Sequence, residues 1–446
     1  MLRASRFTFP AHNQSEMAAN LPPSPESIAY IVDDLRPQVT AFLQELVRSP
    51  SLPNREGPVQ EIIAAKLRGL GLAVETLTTR FDALAGHPAF DDDGFSPDSR
   101  VNVVGRWKGS GAEGGQGSLL LNGHVDVVSP GDPSLWSDDP WSGSLRDGRI
   151  FGRGSCDMKA GLTAGIFAIE ALHRLGYRPA RDLLLSSVIG EESGGVGALT
   201  TIVAGVRADV VVVLEPTNGA ICPVQAGALT FRLTVQGRAA HGAMKSEGVS
   251  AIAQFLPLFQ AIEALDLQRH RDYTTAIYPN PANVAPISIG TIRGGEWHST
   301  VPEAVVVEGR CGVFPGESPA QVRALLAATI AETASAHPWL AAHPPRLEWF
   351  EGQFESCATP LDHPLLTTLA AAHRQVHGTE PPVQGVPYGA DLRLFVVHAA
   401  MPGVLYGPGD VRLAHAANES VGVEEVMDAM KTIAGMVVGW CGVHTD

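Results

Sequence analysis

Long apolar runs separated by helical patterns fill the first half of the chain. Apolar residues at helical spacing cover residues 26–47 and 57–70, and a further helix is predicted from a turn at Asp157 through Leu175. The predicted strands of this half cover residues 72–77, 101–107, 118–122, 182–189 and 208–214. Their Val, Leu and Ile runs lack polar alternation, which is typical of strands buried on both faces. Alternating strands and helices predict an α/β domain with a mixed sheet flanked by helices.

A different pattern begins near residue 227. Residues 228–236 and 304–313 alternate apolar and polar positions, which favours antiparallel strands with one solvated face. The helical patterns that accompany them cover residues 250–265 and 318–335. Two strand regions and two helices predict a small α+β unit over residues 227–351.

The predicted organisation is one domain inserted into another. After the small unit the apolar pattern returns, with a strand predicted at residues 404–406. The larger domain is therefore expected to comprise residues 26–226 and 352–446. The chain's first residues are polar and lack the apolar core of a signal peptide, so residues 1–25 are predicted to be a disordered extension.

Net charge limits the classes of binding partner, and cysteine content indicates the cellular compartment. The chain has 446 residues, and 47 acidic against 32 basic side chains give a net charge of -15. This charge argues against nucleic acid or an anionic membrane as a partner. The five cysteines form no Cys-x-x-Cys motif, so no disulfide framework is expected and a reducing, cytoplasmic compartment is favoured. No apolar stretch approaches the length of a transmembrane helix.

Imidazoles and carboxylates stand where predicted strands end and in the loops that follow. These residues are His124, Asp126, Asp157, Glu191, Glu192, Glu215 and His415. Ligands of α/β sheets collect at the carboxyl ends of strands, and imidazole with carboxylate suits divalent metals. Taken alone, each residue could be a polar loop residue, and Asp157 could simply cap a helix. Together they exceed the ligands that one zinc ion uses, which predicts a two-metal hydrolase.

Neighbouring residues in two short motifs are expected to have different roles. Residues i and i+2 of an extended chain point the same way, so His124 is expected to bind metal while Asp126 orients its ring. Adjacent residues point to opposite faces, so one of Glu191 and Glu192 can bind metal while the other acts as general base. A solvated acidic pair is the alternative for these two glutamates.

Six segments carry a resemblance to a known family. They are residues 121–127 (LNGHVDV), 152–161 (GRGSCDMKAG), 190–194 (GEESG), 214–217 (LEPT), 237–242 (GRAAHG) and 407–421. With them the chain resembles the dizinc metallopeptidases and amidohydrolases that include acetylornithine deacetylase, succinyl-diaminopimelate desuccinylase, aminoacylase and glutamate carboxypeptidase. The resemblance covers nearly everything after the N-terminal extension. It implies a zinc-peptidase-like catalytic domain, with residues 227–351 as an inserted lid that also forms a homodimer.

The same resemblance implies a ligand set for two divalent ions. One ion is expected on His124, Asp157 and Glu215, and the other on Asp157, Glu192 and His415, so that Asp157 bridges them. The ions are expected to be zinc, and cobalt and manganese also accept such ligands. The peptide bond after Asp157 is typically cis in this family.

Catalytic and substrate-binding residues are also implied by the resemblance. Glu191 is expected to be the general base, and His241 of the lid is expected to hydrogen-bond the developing oxyanion. Arg310 is expected to bind a substrate carboxylate. Asn283 and Gly389 are the other expected substrate contacts.

The expected activity is hydrolysis of the amide bond of an N-acyl amino acid or a related small amide. A dipeptidase or carboxypeptidase and an N-formyl-aminopyrimidine deformylase are the alternatives, since they use the same chemistry. A metal-binding protein without catalysis is disfavoured because Glu191 stands beside Glu192. Two departures from the family pattern, Ser299 in Ser-Thr-Val-Pro and Ala390 before Asp391, touch substrate loops and leave the substrate open.

Overall fold

Two large β-sheets organise the protein, and the computed structural model describes residues 22–96 and 100–445. Residues 1–21 of the predicted disordered extension lie outside this range. No helix in the described part is long and apolar enough to span a membrane.

The first sheet has nine strands in the described part of the chain. In spatial order they are Ala73–Thr78, Val101–Trp107, Leu183–Val188, Leu119–His124, Val210–Val213, Gly403–Leu405, Ile221–Gln225 and Cys357–Ala358, with Val383–Val386 also paired to Ile221–Gln225. The central strand Leu119–His124 pairs in parallel with both of its neighbours. Antiparallel pairs lie toward both ends, so the sheet is mixed as predicted.

Helices pack against this sheet and enclose the larger apolar core. They are Pro25–Arg48, Gly57–Gly69, Phe81–Leu84, Ala160–Arg174, Val196–Val203, Pro364–His377 and Val423–Cys441. The first begins where Ser24 caps it by accepting a hydrogen bond from the Ser27 N–H, with Pro25 at the first helical position. Val32, Leu35 and Val39 follow at helical spacing and are buried.

The second sheet is antiparallel and four-stranded. Its strands, in spatial order, are Ile287–Gly294, Ala304–Val313, Gly227–Gln236 and Arg346–Phe354. Buried and half-buried residues alternate along Gly227–Gln236, which is the pattern of a sheet with one covered face. The helices Ala251–Asp272, Pro319–Ser335 and Pro338–Ala342 accompany it, and the first two enclose a separate apolar core with the sheet.

Smaller elements complete the fold. Three further sheets pair Ala240–His241 with Thr300–Val301, Tyr177–Pro179 with Val443–Thr445, and Arg149–Phe151 with both Ser144–Arg146 and Ser420–Gly422. Short helical or turn segments cover Pro133–Leu135, Ser155–Lys159, Gly242–Glu247, Pro281–Asn283, Leu394–His398 and Val411–Leu413. The backbone at Asp157, Met158 and Met244 departs from helical angles, so the segments Ser155–Lys159 and Gly242–Glu247 are kinked.

The second sheet contains two strands that the sequence pattern did not predict. Ile287–Gly294 is an edge strand with mostly exposed residues, and Arg346–Phe354 has no residue that is fully buried. Neither strand therefore carries the alternation on which the prediction depended. Arg346–Phe354 also runs three residues past the predicted boundary at 351, and the division into domains stays a prediction.

Candidate metal centre

Three neighbouring parallel strands deliver most of the site. His124 is the last residue of the central strand, Glu191 and Glu192 follow one neighbour, and Glu215 follows the other. Because these strands are parallel, their carboxyl ends open at the same edge of the sheet. The three glutamates line a cavity at this edge, and His124 lies buried behind them, with its Nε2 3.8 Å from the Glu191 Oε2 and 3.9 Å from the Glu215 Oε1.

Two further residues reach the cavity from turns. Asp157 lies in the turn Ser155–Lys159, and the peptide bond to Met158 is cis, as the resemblance implied. His415 lies shortly after the turn Val411–Leu413, and its φ of 59° falls in the left-handed region. A non-glycine residue in that region is strained, and such strain is commonly held at functional sites.

His124, Asp157 and Glu215 form what we call the buried ligand group. One potential ligand atom from each lies within 4.8 Å of the others. The His124 Nε2 is 3.2 Å from the Asp157 Oδ1 and 3.9 Å from the Glu215 Oε1. His124 and Glu215 are almost completely buried, with 1% and 4% of their surface exposed.

Asp157, Glu192 and His415 form the outer ligand group, again within 4.8 Å of one another. The His415 Nε2 lies 3.0 Å from the Glu192 Oε2 and 3.4 Å from the Asp157 Oδ2. Asp157 thus turns one carboxylate oxygen toward each group. The His415 side chain is 53% exposed, so this group faces the opening of the cavity.

Glu191 lines the same cavity without belonging to either group. Its Oε2 lies 3.8 Å from the His124 Nε2. Burial raises the pKa of Glu191 well above the usual range, although the nearby His124 opposes that rise. The carboxylate therefore lies beside the ligand groups without belonging to them, which is the position that a general base requires.

Asp126 orients the site in a different way from the one expected. The His124 Nδ1 makes its hydrogen bond to the main-chain carbonyl of Asp126, at 2.9 Å, whereas the carboxylate lies 3.6 Å away. That carboxylate accepts the N–H groups of Glu191 and Glu192 at 3.2 and 3.1 Å. The strand ends at His124, so Asp126 lies beyond the extended segment. Its side chain therefore need not point the same way as the His124 side chain. Asp126 thus holds both the histidine ring and the glutamate pair.

Glu419 has a supporting role that sequence reasoning missed. Its Oε1 accepts the N–H groups of Cys156 and Asp157 at 2.9 and 3.1 Å, and its Oε2 pairs with Arg153 at 2.5 Å. Both partners of this ion pair are buried. Arg153 lies 266 positions away in the sequence, so no local pattern revealed the pair. Its position four residues after His415 was the one available signal.

The residues present fit two divalent cations. The Glu215 Oε1 is buried and has no hydrogen-bond partner in the described structure. Burial raises the pKa of Glu215 far above the usual range, and Asp157 raises it further. The described residues that line the cavity include four carboxylates and no lysine or arginine. Buried carboxylates at this density need a cation to compensate them.

The expected substrate residues are distributed unevenly. Gly389 lines the cavity of the ligand groups, and Asn283 lines a neighbouring cavity. Arg310 donates from Nη2 to the Pro387 carbonyl at 2.6 Å, so part of its guanidinium is already engaged. His241 is exposed, accepts the Ala243 N–H, and is not among the described residues that line the cavity. In the single chain His241 therefore lies outside the described lining of the metal-centre cavity.

The family assignment follows from comparison with known proteins. Residues 120–438 match the model of peptidase family M20/M25/M40, and the chain belongs to this family. The match includes every proposed metal ligand and the base, and it confirms the resemblance predicted from the sequence motifs. The protein is thus a metal-dependent hydrolase of amide bonds.

Individual relatives are similar over nearly the whole chain. N-formyl-4-amino-5-aminomethyl-2-methylpyrimidine deformylase of Bacillus subtilis is 26% identical, over 88% of this chain and 91% of the relative. Acetylornithine deacetylase of Myxococcus xanthus is 29% identical, over 92% of this chain and 100% of the relative. The crystal structure of human carnosine dipeptidase 1 is similar with a TM-score of 0.70 at 16% identity, covering 93% and 98% of the two chains. This last likeness shows the fold, which is the predicted catalytic α/β fold with an additional smaller sheet.

Proposed function

We propose that the protein is a deacylase that hydrolyses the amide bond of an N-acyl amino acid or a related small N-acyl amide, with Glu191 as general base. The observation that carries this proposal is the position of Glu191, buried in the cavity beside both ligand groups while belonging to neither. The deformylase and deacetylase names of the relatives support an N-acyl substrate.

Different residues of the chain would bind the metal ions, transfer the proton and position these groups. Two divalent cations on the ligand groups would supply positive charge to activate water and to stabilise the oxyanion of the attacked carbonyl. Glu191 takes a proton from the attacking water and delivers it to the nitrogen of the leaving amine. Asp126 fixes the backbone of Glu191 and Glu192, and Glu419 fixes the backbone at Asp157. These contacts fix the positions of the base and the metal ligands before the substrate binds.

Zinc is the proposed metal, with cobalt and manganese as substitutes. Histidine and carboxylate ligands suit all three ions. Cys156 lies next to Asp157 in sequence, but its Sγ points to the Asp410 carbonyl at 3.4 Å. The proposed ligands are therefore nitrogen and oxygen atoms alone.

A homodimer formed by the lid is the second part of the proposal. Ile252, Leu256 and Phe259 lie at helical spacing on the helix Ala251–Asp272 and are exposed at 44%, 55% and 38%. Ile287–Gly294 is an edge strand of the adjoining sheet and is open to pairing. An exposed apolar stripe beside an open edge favours association with a second copy. His241 would then reach the metal centre of the partner chain and donate to the oxyanion there.

A reducing, cytoplasmic location is proposed from the cysteines. All five are buried and free. Free thiols of this kind are typical of proteins in reducing compartments. A small amide is the proposed partner, and the net charge of -15 argues against nucleic acid and anionic membranes.

The proposal is tested by a substrate panel on protein loaded with zinc, cobalt or manganese. N-formyl, N-acetyl and N-succinyl amino acids, an N-formyl aminopyrimidine and simple dipeptides would be compared by kcat/KM. Turnover of acyl substrates above dipeptides is expected, and loss of that turnover in Glu191→Gln links it to this site. Preference for dipeptides would favour the peptidase alternative. No turnover of any amide by protein with both ions bound would contradict the proposal.

A further inference from the structure

The proposed base stands on a short turn, residues 190–195, which we call the base loop. Its ends are joined, because the Gly195 N–H donates to the Gly190 carbonyl at 2.7 Å. The Asp126 carboxylate accepts two N–H groups of the loop and so holds it at one point. Glu191 belongs to neither ligand group, so no metal ion would fix its carboxylate. The position of the base therefore depends on the backbone of this loop.

A buried arginine holds the base loop at a second point. Arg393 is 1% exposed and donates from Nη2 to the Gly194 carbonyl at 2.8 Å. Its Nη1 pairs with the Glu355 carboxylate, whose Oε1 lies 3.0 Å from the His398 Nε2. One guanidinium thus joins a carboxylate to a main-chain carbonyl of the base loop. The planar fork of donors on arginine suits two such acceptors better than the single ammonium group of lysine does.

The pair of Arg393 and Glu355 carries opposite charges. Burial alone would raise the pKa of Glu355, but the hydrogen bond with His398 and the charge of Arg393 lower that pKa to about 2. The carboxylate is therefore ionised at neutral pH and holds Arg393 in place. Removing one partner of a buried charge pair leaves the other uncompensated, so the contact depends on both residues.

Glu355 stands at the end of the second sheet. It directly follows the strand Arg346–Phe354, which forms one edge of that sheet. The Arg393 Cζ also lies 4.9 Å from the centre of the Phe354 ring, which is within the range of a cation–π contact. Arg393 therefore contacts two successive residues at the end of the second sheet and, through Gly194, the base loop.

From these contacts we infer, resting on Glu191 as the proposed general base, that Arg393 is a positioning residue that fixes the base loop against the end of the second sheet through Glu355. Proton transfer requires the base to lie within hydrogen-bonding distance of the attacking water. Without Arg393 the Gly194 carbonyl is released and the loop can shift, and a misplacement of about 1 Å can cost about 10²-fold in rate. The Glu192 carboxylate, in contrast, would be held by its metal ion. Loss of Arg393 should therefore lower turnover while both ions stay bound.

Arg269 provides a matched control because it makes the same kind of contact elsewhere. Its Nη2 donates to the Gly312 carbonyl at 2.9 Å and to Glu317 at 2.7 Å, and its Cζ lies 4.8 Å from the centre of the Phe314 ring. Arg269 is also buried, and none of these partners belongs to the base loop. The variant Arg269→Lys therefore measures the effect of disturbing a buried arginine pair as such.

Amide hydrogen exchange of the base loop tests the contact without a substrate. In zinc-loaded protein, the amides of residues 190–195 should exchange at least about tenfold faster in Arg393→Lys than in wild type, and at the wild-type rate in Arg269→Lys. Glu355→Gln keeps the side-chain size, removes the charge that holds Arg393 and should also accelerate exchange. Wild-type exchange in Arg393→Lys, or in Glu355→Gln should the lysine variant not fold, would overturn the inference.

Kinetics with the acyl substrate that is cleaved fastest test the consequence for the base. With both zinc ions bound, Arg393→Lys should lower kcat by about 10²-fold with KM unchanged, and Arg269→Lys should change neither. The double variant Arg393→Lys/Glu355→Gln should be no slower than Arg393→Lys alone, because both changes break the same contact.

Two results would contradict the role of Arg393 in placing the base. Loss of a zinc ion in Arg393→Lys would assign the residue to the metal ligands, and a kcat equal to that of Arg269→Lys would show that the base does not depend on it. Wild-type protein that binds both ions and cleaves no amide would contradict the deacylase function instead. Hydrogen exchange would still decide whether Arg393 holds the loop.

Discussion

The two ligand groups use the same chemistry but are built differently. In the buried group, His124 and Glu215 stand at the ends of adjacent parallel strands and are almost fully covered. In the outer group, His415 comes from a loop, has a left-handed backbone and is half-exposed. Only Asp157 belongs to both. Rigid strand ends fix ligand geometry before the metal arrives, whereas a loop ligand must be ordered on binding.

This difference predicts unequal affinities. The buried group should bind its ion more tightly, because its ligands lose little conformational freedom and exclude water. The outer group should exchange its ion more readily. Asp157 couples them, since its two oxygens face different groups.

Removing the shared ligand should have the largest effect. Asp157→Ala deprives both groups of a carboxylate, so both ions should be lost and turnover should become undetectable. Elemental analysis after gel filtration measures the ions, and Asp34→Asn on the exposed face of the first helix is the control. An Asp157→Ala protein that keeps two ions would show that the groups do not depend on a bridge.

The variant Glu191→Gln distinguishes the general base from the metal ligands. Because Glu191 belongs to neither group, both ions should remain, while turnover falls by about 10²–10⁴-fold. Glu192→Gln, one residue away, should instead lower the metal content by one equivalent. Metal loss in Glu191→Gln with two ions retained in Glu192→Gln would reverse the roles of the pair.

Histidine variants compare the two groups directly. His415→Ala should retain one tightly bound ion in the buried group, with reduced turnover. His124→Ala should lose the tighter ion, because its imidazole is the buried group's one nitrogen ligand. Zinc dissociation constants from calorimetry provide the measurement. Identical residual affinities in the two variants would contradict the difference between the groups.

Asp126→Asn should have the smallest effect of these changes. The asparagine retains one acceptor oxygen where the carboxylate accepted two N–H groups, and the main-chain carbonyl that holds His124 is unchanged. Metal affinity should fall by about 10–100-fold, as for other residues that orient ligands. Asp132→Asn in an exposed loop is the matched control. No change in affinity would mean that the glutamate backbone needs no such support.

Most of the buried group could be predicted because strand ends are visible in the sequence as apolar runs that stop at a charge. Residues 119–124 and 210–213 are of this kind, and their parallel pairing brings His124 and Glu215 together. The helix predicted over 250–265 extends to Asp272 because its last turns are polar and give no apolar period. Apolar runs and helical periodicity in the sequence thus identify the strands and helices in which buried positions follow a regular pattern.

Contacts that depend on the path of the chain between elements could not be predicted. The carboxylate of Asp126 faces the glutamate pair because the strand ends at His124, and sequence alone does not show where that turn begins. The Arg153–Glu419 pair joins distant segments. The engagement of Arg310 by the Pro387 carbonyl depends on how the second sheet meets the first. Such contacts are set by tertiary packing rather than by local pattern.

Stepwise zinc titration of the metal-free protein tests the central claim, that two ions sharing Asp157 support catalysis by Glu191. Bound zinc and amide hydrolysis would be followed in the same samples. Binding should occur in two phases of unequal affinity, and turnover should rise chiefly in the second phase and reach its maximum at two equivalents per chain. Maximal turnover at one equivalent, or in protein shown to be metal-free, would contradict the account.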